Sequence, residues 1–265
     1  MKAQLHIHIK GDPLDDVKHS WKDLIDRAKT LEYKILAITA HNKVIFPAEA
    51  KEYAKQKNIL LIKGIEVTIL KKHIIILNAD NSAEQIHSFP ELAEYKAKHP
   101  ESFIMAAHPF FPFRNMRNLL EDNIHLFDAI EYSYFVIPGI NFNKKSKVLA
   151  KKYDLPVIAT SDCHFLRYLD VAYTNLTPAT NTLPTSPAEL FATLKTHQFT
   201  NHNPPLNPFL ASLIFLRMSL INWNISNLIL RMEKFCYNQS ICTNSFKKSD
   251  LQPNKIQRES YSPKA

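Results

Sequence analysis

The chain has 265 residues, 45% of them hydrophobic, so it can bury a full core as one large domain or as a domain with an appendage. Its three cysteines exclude a disulfide framework, and we expect a cytoplasmic protein because no apolar run of the kind found in secretion signals opens the sequence. Residues 208–265 carry eight Lys and Arg against three Asp and Glu, hence +5 of the formal net charge of +8, so charge says little about the ligand of the preceding part.

Short apolar runs of β type recur along the first 160 residues. The first contains His6 and His8, which an extended strand would place on one face, with Leu5, Ile7 and Ile9 on the other. Several later runs are almost continuously hydrophobic, as are strands buried on both faces of a parallel sheet. Seven strands are predicted, at residues 3–9, 34–39, 59–69, 73–77, 103–107, 127–131 and 156–160.

Helical patterns separate most of these runs. Between Val17 and Leu31 the apolar residues fall at three- and four-residue spacing, and residues 47–57 and 143–153 read similarly. Two further helices are expected to begin after Ser88 and Ser186, the latter with a capping box and a proline at the first helical position. The alternation predicts βα units with right-handed crossovers. A barrel is favoured over an open sheet because no Gly-rich phosphate loop is present.

Nearly every predicted strand places a residue that can bind a metal close to its C-terminal end. In an α/β barrel those ends meet at one mouth, where active sites are built. Chance could explain each histidine separately but not the repeated placement. Besides His6 and His8, the residues concerned are His41, Glu66, His108, Glu131, Asp162 and His164, and a further one, His73, opens the fourth strand. The remaining histidines, taken as uninvolved, are His19, His87, His99, His125, His197 and His202.

In their order and spacing, these motifs resemble the polymerase and histidinol phosphatase (PHP) superfamily of metal-dependent phosphoesterases. The resemblance covers about residues 1–175. Members have a distorted (β/α)7 barrel, in agreement with the seven strands counted independently. The predicted fold class is therefore α/β, a distorted (β/α)7 TIM-like barrel with a C-terminal helical extension. The matching motifs are His6-Ile7-His8, Thr39-Ala40-His41-Asn42, Gly64-Ile65-Glu66, His73, His108-Pro109 and Ser161-Asp162-Cys163-His164.

The resemblance implies three metal positions. The first would be bound by His6, His8, Glu66 and Asp162. The second would share Glu66 as a bridging carboxylate and add His73 and His108. The third would be bound by His41, His164 and one aspartate, either Asp12 or Asp15. Asp12 is preferred because Gly11-Asp12-Pro13 is similar to the family's Ser-Asp-Gly segment with one residue deleted.

The sequence also departs from the family pattern. Ile9 stands where threonine is usual, and Ala40 where many members have aspartate. Neither change removes a principal ligand, but both alter the support around the ligands.

Mixed imidazole and carboxylate ligands suit Zn²⁺, Mn²⁺ or Fe²⁺ better than Mg²⁺. We therefore expect two or three divalent transition metals per chain and hydrolysis of a phosphate ester by a metal-activated water. The expected catalytic residues are Glu66, Asp162 and His164. The substrate is left open between a small phosphomonoester, a nucleotide and a nucleic-acid end. The alternative function is a non-catalytic, metal-binding regulatory or interaction module on the same barrel.

Substrate-binding candidates follow the ligand positions. Arg114 and Arg117 lie in the loop after His108 and suit bidentate phosphate contact, whereas the phenylalanines of that loop either stack on a substrate or plug the barrel mouth. Further candidates are Lys10, Lys43 and Arg167. Cys163 is expected to be a packed thiol, because neighbours in a strand point to opposite sides.

Three segments are predicted: a metal-binding barrel at residues 1–200, an apolar helical extension at 201–241 and a disordered tail at 242–265. The extension has no apolar stretch long enough to span a bilayer, although packing on the barrel, a dimer contact or peripheral membrane contact would each fit. The tail is rich in polar residues and proline. The sequence leaves the oligomeric state open, and nucleic acid stays a possible partner.

Overall fold

A computed structural model describes residues 1–111, 115–116, 118–179 and 182–219, with side chains through residue 214. Its contacts divide the chain into one compact unit, Met1–Pro208, and a second, Phe209–Ala265. The predicted substrate-binding residues Arg114 and Arg117, most of the predicted extension and the whole predicted tail lie outside the described residues. The boundaries predicted at residues 200 and 241 therefore stay predictions. No helix within the described ranges has the length and apolar character needed to cross a membrane.

Nine strands of the first unit form one nearly closed, barrel-shaped sheet, in the order β11-β10-β1-β2-β3-β4-β5-β6-β9. The strands are β1 Lys2–Gln4, β2 Tyr33–Ile38, β3 Leu60–Ile69, β4 Lys72–Leu77, β5 Phe103–Ala106, β6 Ala129–Ser133, β9 Val157–Thr160, β10 Tyr173–Leu176 and β11 Phe199–His202. Two short strands, β7 Val136–Ile137 and β8 Ile140–Asn141, pair as a separate hairpin. All seven predicted strands occur, whereas β10 and β11 were not predicted.

The direction of β4 corrects the prediction of an all-parallel sheet. This strand is antiparallel to both β3 and β5, because a tight turn and not a helix joins it to β3. His73 lies near the start of β4, and in an antiparallel strand the start lies at the same end of the barrel as the C-terminal ends of the parallel strands. His73 therefore lies at the mouth from the start of its strand, whereas the other strands reach the mouth at their C-terminal ends.

The barrel closes in two different ways along its height. At the mouth, Ile7 pairs with Cys163, with backbone bonds of 3.1 Å from His8 N to Cys163 O and from Cys163 N to His6 O. Away from the mouth, β10 and β11 fill the gap between β1 and β9. There the side chain of Asn201 bonds to the backbone of Val157 and Ala159 instead of a continuous strand ladder. Closure at the mouth brings the segment after β9 against the first strand.

Helices cover the outside of the first unit. Ser20 forms a capping box with Asp23, so α1 begins at Trp21 and not at Val17 as predicted. Ser88 and Ser186 cap α3 and α6, as expected. These helices are α1 Trp21–Thr30, α2 Ala48–Gln56, α3 Phe89–Lys98, α4 Asn118–Asp122, α5 Lys144–Tyr153 and α6 Pro187–Lys195. A further helix, α7 Pro208–Ser219, belongs to the second unit from Phe209 onward.

The apolar side chains form separate clusters inside the barrel and beneath the helices. Leu5 packs with Ala3 in the cluster to which nearly every strand contributes, whereas Ile7 and Ile9 pack beneath α1 and α2. The prediction that Leu5 shares a face with Ile7 and Ile9 is therefore wrong. Regular strand pairing ends at Gln4, and the alternation of faces is interrupted once after it, between Leu5 and His6, and then resumes through Ile9. The interruption directs the side chains of His6 and His8 into the mouth of the barrel.

Candidate metal centre

His6 and His8 lie side by side at the mouth, fully buried, with their Nε2 atoms 3.1 Å apart. Each ring uses its other nitrogen to donate to a carboxylate. His6 Nδ1 lies 2.8 Å from Glu131 Oε1, and His8 Nδ1 lies 2.7 Å from Asp12 Oδ2. A carboxylate accepts, so these contacts place a proton on each Nδ1 and direct the two Nε2 atoms toward each other.

Glu66 lies at the centre of the histidines and is 1% exposed. Its Oε2 is 3.0 Å from His41 Nε2, and its Oε1 is 2.9 Å from His73 Nδ1 and 3.4 Å from His108 Nε2. Oε2 also lies 3.3 Å from His6 Nε2. Neither oxygen has a partner with hydrogen-bond geometry within the described residues. A buried carboxylate surrounded by ring nitrogens but without a donor is suited to a cation.

Asp162 and His164 enter the site from the segment after β9. Asp162 Oδ1 is 3.3 Å from His6 Nε2 and 3.2 Å from His8 Nε2. His164 stacks on His8, with ring centroids 4.1 Å apart. Between them Cys163 points into the apolar cluster and is buried, as predicted, and burial raises the pKa of its thiol to about 12. The thiol is therefore protonated at neutral pH.

The two candidate aspartates have different surroundings. Asp12 is buried, and beyond His8 its carboxylate accepts from the backbone N–H groups of His41, Leu14 and Asp15. Both of its oxygens also lie 3.1 Å from His41 Nδ1. Asp15 is more exposed and directs Oδ2 to His164 Nε2 at 3.0 Å and to His41 Nδ1 at 3.5 Å. Both aspartates thus contact His41, and the contact with His164 distinguishes Asp15.

The same grouping is reflected in the pKa values. Burial opposes the charging of His164, but the charge of Asp162 and the hydrogen bond to Asp15 outweigh it and raise its pKa to about 9. Burial likewise opposes ionisation of Glu66, yet His73 and His6 hold its pKa well below the usual range. Asp162, held by His6 and His164 against the effect of burial, behaves in the same way. In the absence of another cation, the carboxylates keep protons on the rings.

Four groups of side chains bring ligand atoms within 4.8 Å of one another: His8, His41 and His164; His6, His8 and Glu66; His41, Glu66 and His73; and Asp12, Asp15 and His41. Asp162 and His108 are outside these groups, although both lie within 3.4 Å of a member. The donor set therefore fits divalent transition metals: imidazole nitrogens and carboxylate oxygens converge, and two of the rings direct Nε2 into the centre.

Two buried residues outside the implied ligand set, Glu131 and His19, lie at or beside the site. Glu131 is fully buried and, besides His6, accepts from the backbone N–H of His108 and from the Thr160 hydroxyl. The position of Glu131 at the end of a predicted strand indicated that it could lie at the mouth, but it was not placed in any of the three implied metal positions. His19, taken as uninvolved, is buried beside the site; its Nε2 has no hydrogen-bond partner in the described part, and burial lowers its pKa to about 4.

Among the substrate-binding candidates, Lys10 and Lys43 are exposed after His8 and His41. The guanidinium of Arg167 lies 4.7 Å from the ring centroids of both Phe165 and Tyr168. Phe111 is buried and packs edge-on against Phe135 and Phe142, so it closes this side of the mouth and is not free to stack on a ligand.

Comparisons with known proteins agree with this geometry. Residues 141–198 match the family model described as PHP-associated. An uncharacterized protein of Methanocaldococcus jannaschii is 26% identical over 166 residues, which cover 57% of this chain and 95% of that protein.

Three solved structures share the fold. PsfC from Pseudomonas syringae PB-5123 has a TM-score of 0.57 at 15% identity, covering 91% of this chain and 98% of that one. A two-domain protein from Bacteroides vulgatus ATCC 8482, described as containing a predicted PHP-like metal-dependent phosphoesterase, has a TM-score of 0.55 at 16% identity, with coverages of 76% and 64%. Endonuclease Q, in complex with a 27-mer duplex carrying an abasic lesion, has a TM-score of 0.52 at 11% identity, with coverages of 74% and 56%.

Proposed function

The chain has the fold of the PHP superfamily and a PHP-associated segment, as its motifs predicted, and on this basis we propose that it is a metal-dependent hydrolase of phosphate esters. The observation that carries the proposal is Glu66, which is buried among His6, His41, His73 and His108 and has no partner of hydrogen-bond geometry in the part of the chain that the structure describes. A carboxylate and imidazoles in this arrangement bind divalent transition metals and hold them close together.

Each ligand has a proposed part. Glu66 would help to hold two metals, one with His6, His8 and Asp162 and the other with His73 and His108. Asp15 would help His41 and His164 to hold the third, and it is favoured over Asp12 because it contacts His164. Metals bound there would supply a water acidic enough to give hydroxide near neutrality and would screen the phosphoryl oxygens. Zn²⁺, Mn²⁺ and Fe²⁺ are the candidates, with two or three ions per chain.

The chain's own residues orient this set. Glu131 and Asp12 fix the rings of His6 and His8, so that their Nε2 atoms face the centre without rearrangement when a ligand binds. Asp162 and His164 lie at the open side of the site, where their side chains are about one quarter exposed. They are therefore the residues best placed to contact a substrate phosphoryl group, and with Glu66 they form the proposed catalytic set.

The proposed substrate is a phosphate ester, which is a small phosphomonoester, a nucleotide or a nucleic-acid end. A non-catalytic metal-binding module on the same barrel is the competing function. It is disfavoured because such a module can lose ligands freely, whereas here all of the proposed ligands are retained and converge.

The proposal is tested by assaying the Mn²⁺- or Zn²⁺-loaded protein on phosphomonoesters and short labelled oligonucleotides, together with the variants His108→Ala and Asp162→Asn. Turnover is expected to fall by at least about 100-fold in each variant, the scale expected when a group that stabilises transition-state charge is removed. Circular dichroism should change little, because both residues lie at the mouth and not in the packed interior. Inactivity of the parent on every phosphoester would favour the competing module.

A further inference from the structure

The turn between β3 and β4 exposes a leucine at the edge of the site. Leu70 is 64% exposed, and Lys71 beside it is also exposed. These two residues have φ values of 49° and 61°, the left-handed pair that characterises a tight two-residue hairpin turn. Such turns favour Asn-Gly, and a bulky residue at positive φ costs about 1–2 kcal/mol. Leu70 therefore combines two unfavourable features, an apolar side chain exposed to water and a backbone at positive φ.

The strand register places this turn beside the metal centre. Thr68 pairs with His73, and Ile69 pairs with Lys72, so Leu70 lies three residues from His73. At about 3.4 Å per residue, that separation is about 10 Å. One strand of a DNA duplex carries a phosphate about every 3.4 Å along the helix axis, so a strand bound at the centre would reach the turn within about three nucleotides.

Lysines lie close in sequence to the turn and to the site histidines. Lys71 and Lys72 directly follow Leu70, and Lys10 and Lys43 follow His8 and His41 by two residues each. Lys10, Lys43 and Lys71 are exposed. An exposed lysine is therefore two residues from each of His8, His41 and His73.

Aromatic side chains pack together beside His108. Phe111 lies near His108 and packs with Phe135 and Phe142. We expect an extended ligand to leave the centre past the exposed turn and not between these packed rings.

We propose that the β3–β4 turn is a contact element for a nucleic-acid strand, in which Leu70 packs against a base or sugar while Lys71 and Lys72 neutralise phosphates flanking the scissile one. The inference rests on the proposed function and narrows its substrate to a polynucleotide. Charge complementarity favours this ligand, because the two lysines after Leu70 match phosphates and the exposed leucine matches an apolar base or sugar face.

Binding of a short fluorescein-labelled phosphorothioate DNA strand to the metal-loaded full chain, followed by anisotropy at several salt concentrations, tests the proposal. Leu70→Ala/Lys71→Ala should weaken binding by at least about tenfold and lower the salt slope by about 0.7, the share of one phosphate contact on a single strand. The matched control is Val148→Ala/Lys151→Ala on α5, which removes an exposed apolar side chain and one charge elsewhere and should bind like the parent.

A second variant, Leu70→Asn/Lys71→Gly, gives the turn its favoured sequence and should fold at least as well as the parent while binding as weakly as the alanine pair. Equal binding by the parent and both turn variants would overturn the proposal. So would loss of binding in the α5 control, or binding of anionic lipid vesicles with the same dependence on the turn. Because binding is measured on a strand that resists cleavage, failure here is distinct from failure of the hydrolysis assay.

Discussion

At the scale of single residues, the site depends on carboxylates behind the rings as much as on the rings themselves. Glu131 accepts from His6 Nδ1 and from the backbone N–H of His108, and Asp12 accepts from His8 Nδ1 and from the backbone N–H of His41, whose own Nδ1 lies 3.1 Å away. Each carboxylate thus couples a side chain of the first strand to the backbone of another strand. Such partners typically change metal affinity by 10–100-fold when they are removed.

The two aspartates are therefore expected to respond differently to substitution. Asp15→Asn should empty one metal position, because its oxygen faces only His41 and His164. Asp12→Asn should instead weaken binding at more than one position by about 10–100-fold, because it orients His8 and His41. Competition titrations with a chromophoric chelator measure both effects. Loss of a single position in Asp12→Asn with parent-like binding in Asp15→Asn would reverse the assignment.

The sequence could supply the identity of the ligands but not the role of each carboxylate. Alternation along an extended segment was sufficient to bring His6 and His8 together. The choice between Asp12 and Asp15 depends on a turn at Gly11, whose φ of 99° directs the chain back over His41, and such a turn leaves no periodic signal. Glu131 had the right position on its strand, but position alone does not distinguish a ligand from an orienting group.

At the scale of elements, strand direction was the main point the sequence left undetermined. A buried run such as that of β4 is continuously apolar whether it is parallel or antiparallel to its neighbours. Its turn carries Leu-Lys and not the Asn-Gly or Asp-Gly that would predict a hairpin. The two added strands, β10 and β11, are short, and β11 is mostly exposed, so neither has a strong hydrophobic pattern.

Gly64 in β3 provides a test of how closely the strands must approach to position Glu66. A Cβ there would lie 3.0 Å from Ile76 O and Thr39 Cγ2, and 3.1 Å from Ile38 O. Gly64→Ala is expected to lower the free energy of unfolding by about 1–3 kcal/mol and to reduce metal binding through Glu66, two residues away. Urea denaturation and metal analysis measure these effects.

Gly139 is the matched control for this substitution. Gly139→Ala meets no atom within 4 Å and should cost only about 1 kcal/mol, for its φ of 83°, with metal content unchanged. A Gly64→Ala variant as stable and metal-rich as the parent would show that the strands can separate.

At the scale of the whole molecule, the contact that closes the barrel at its mouth also brings the ligands of the site together. The bridge between Ile7 and Cys163 joins the first strand to the segment after β9, and in doing so sets Asp162 and His164 against His6 and His8. The barrel class followed from the alternation of elements and the scarcity of glycine. Closure by the side chain of Asn201 could not be predicted, because it depends on contacts distant in sequence.

Protons and metals compete for the assembled site. The carboxylates raise the pKa values of His6, His41 and His108 against the effect of burial, and that of His164 to about 9. Stability from a protonated His164 is therefore fully present below its unfolded pKa of about 6.5 and is lost as the pH rises through about 9. Metal binding has the opposite dependence, because it requires unprotonated rings.

Metal content after equilibrium dialysis against Mn²⁺ or Zn²⁺, measured by elemental analysis at pH 6 and pH 8.5 on the parent and Glu66→Gln, tests the central claim most directly. The account predicts two or three ions per parent chain at pH 8.5 and fewer at pH 6. It predicts that Glu66→Gln loses metal from both positions that the carboxylate bridges, because two dications lose the negative charge between them. Trace metal in the parent at both pH values, or a Glu66→Gln variant that binds as much as the parent, would contradict it.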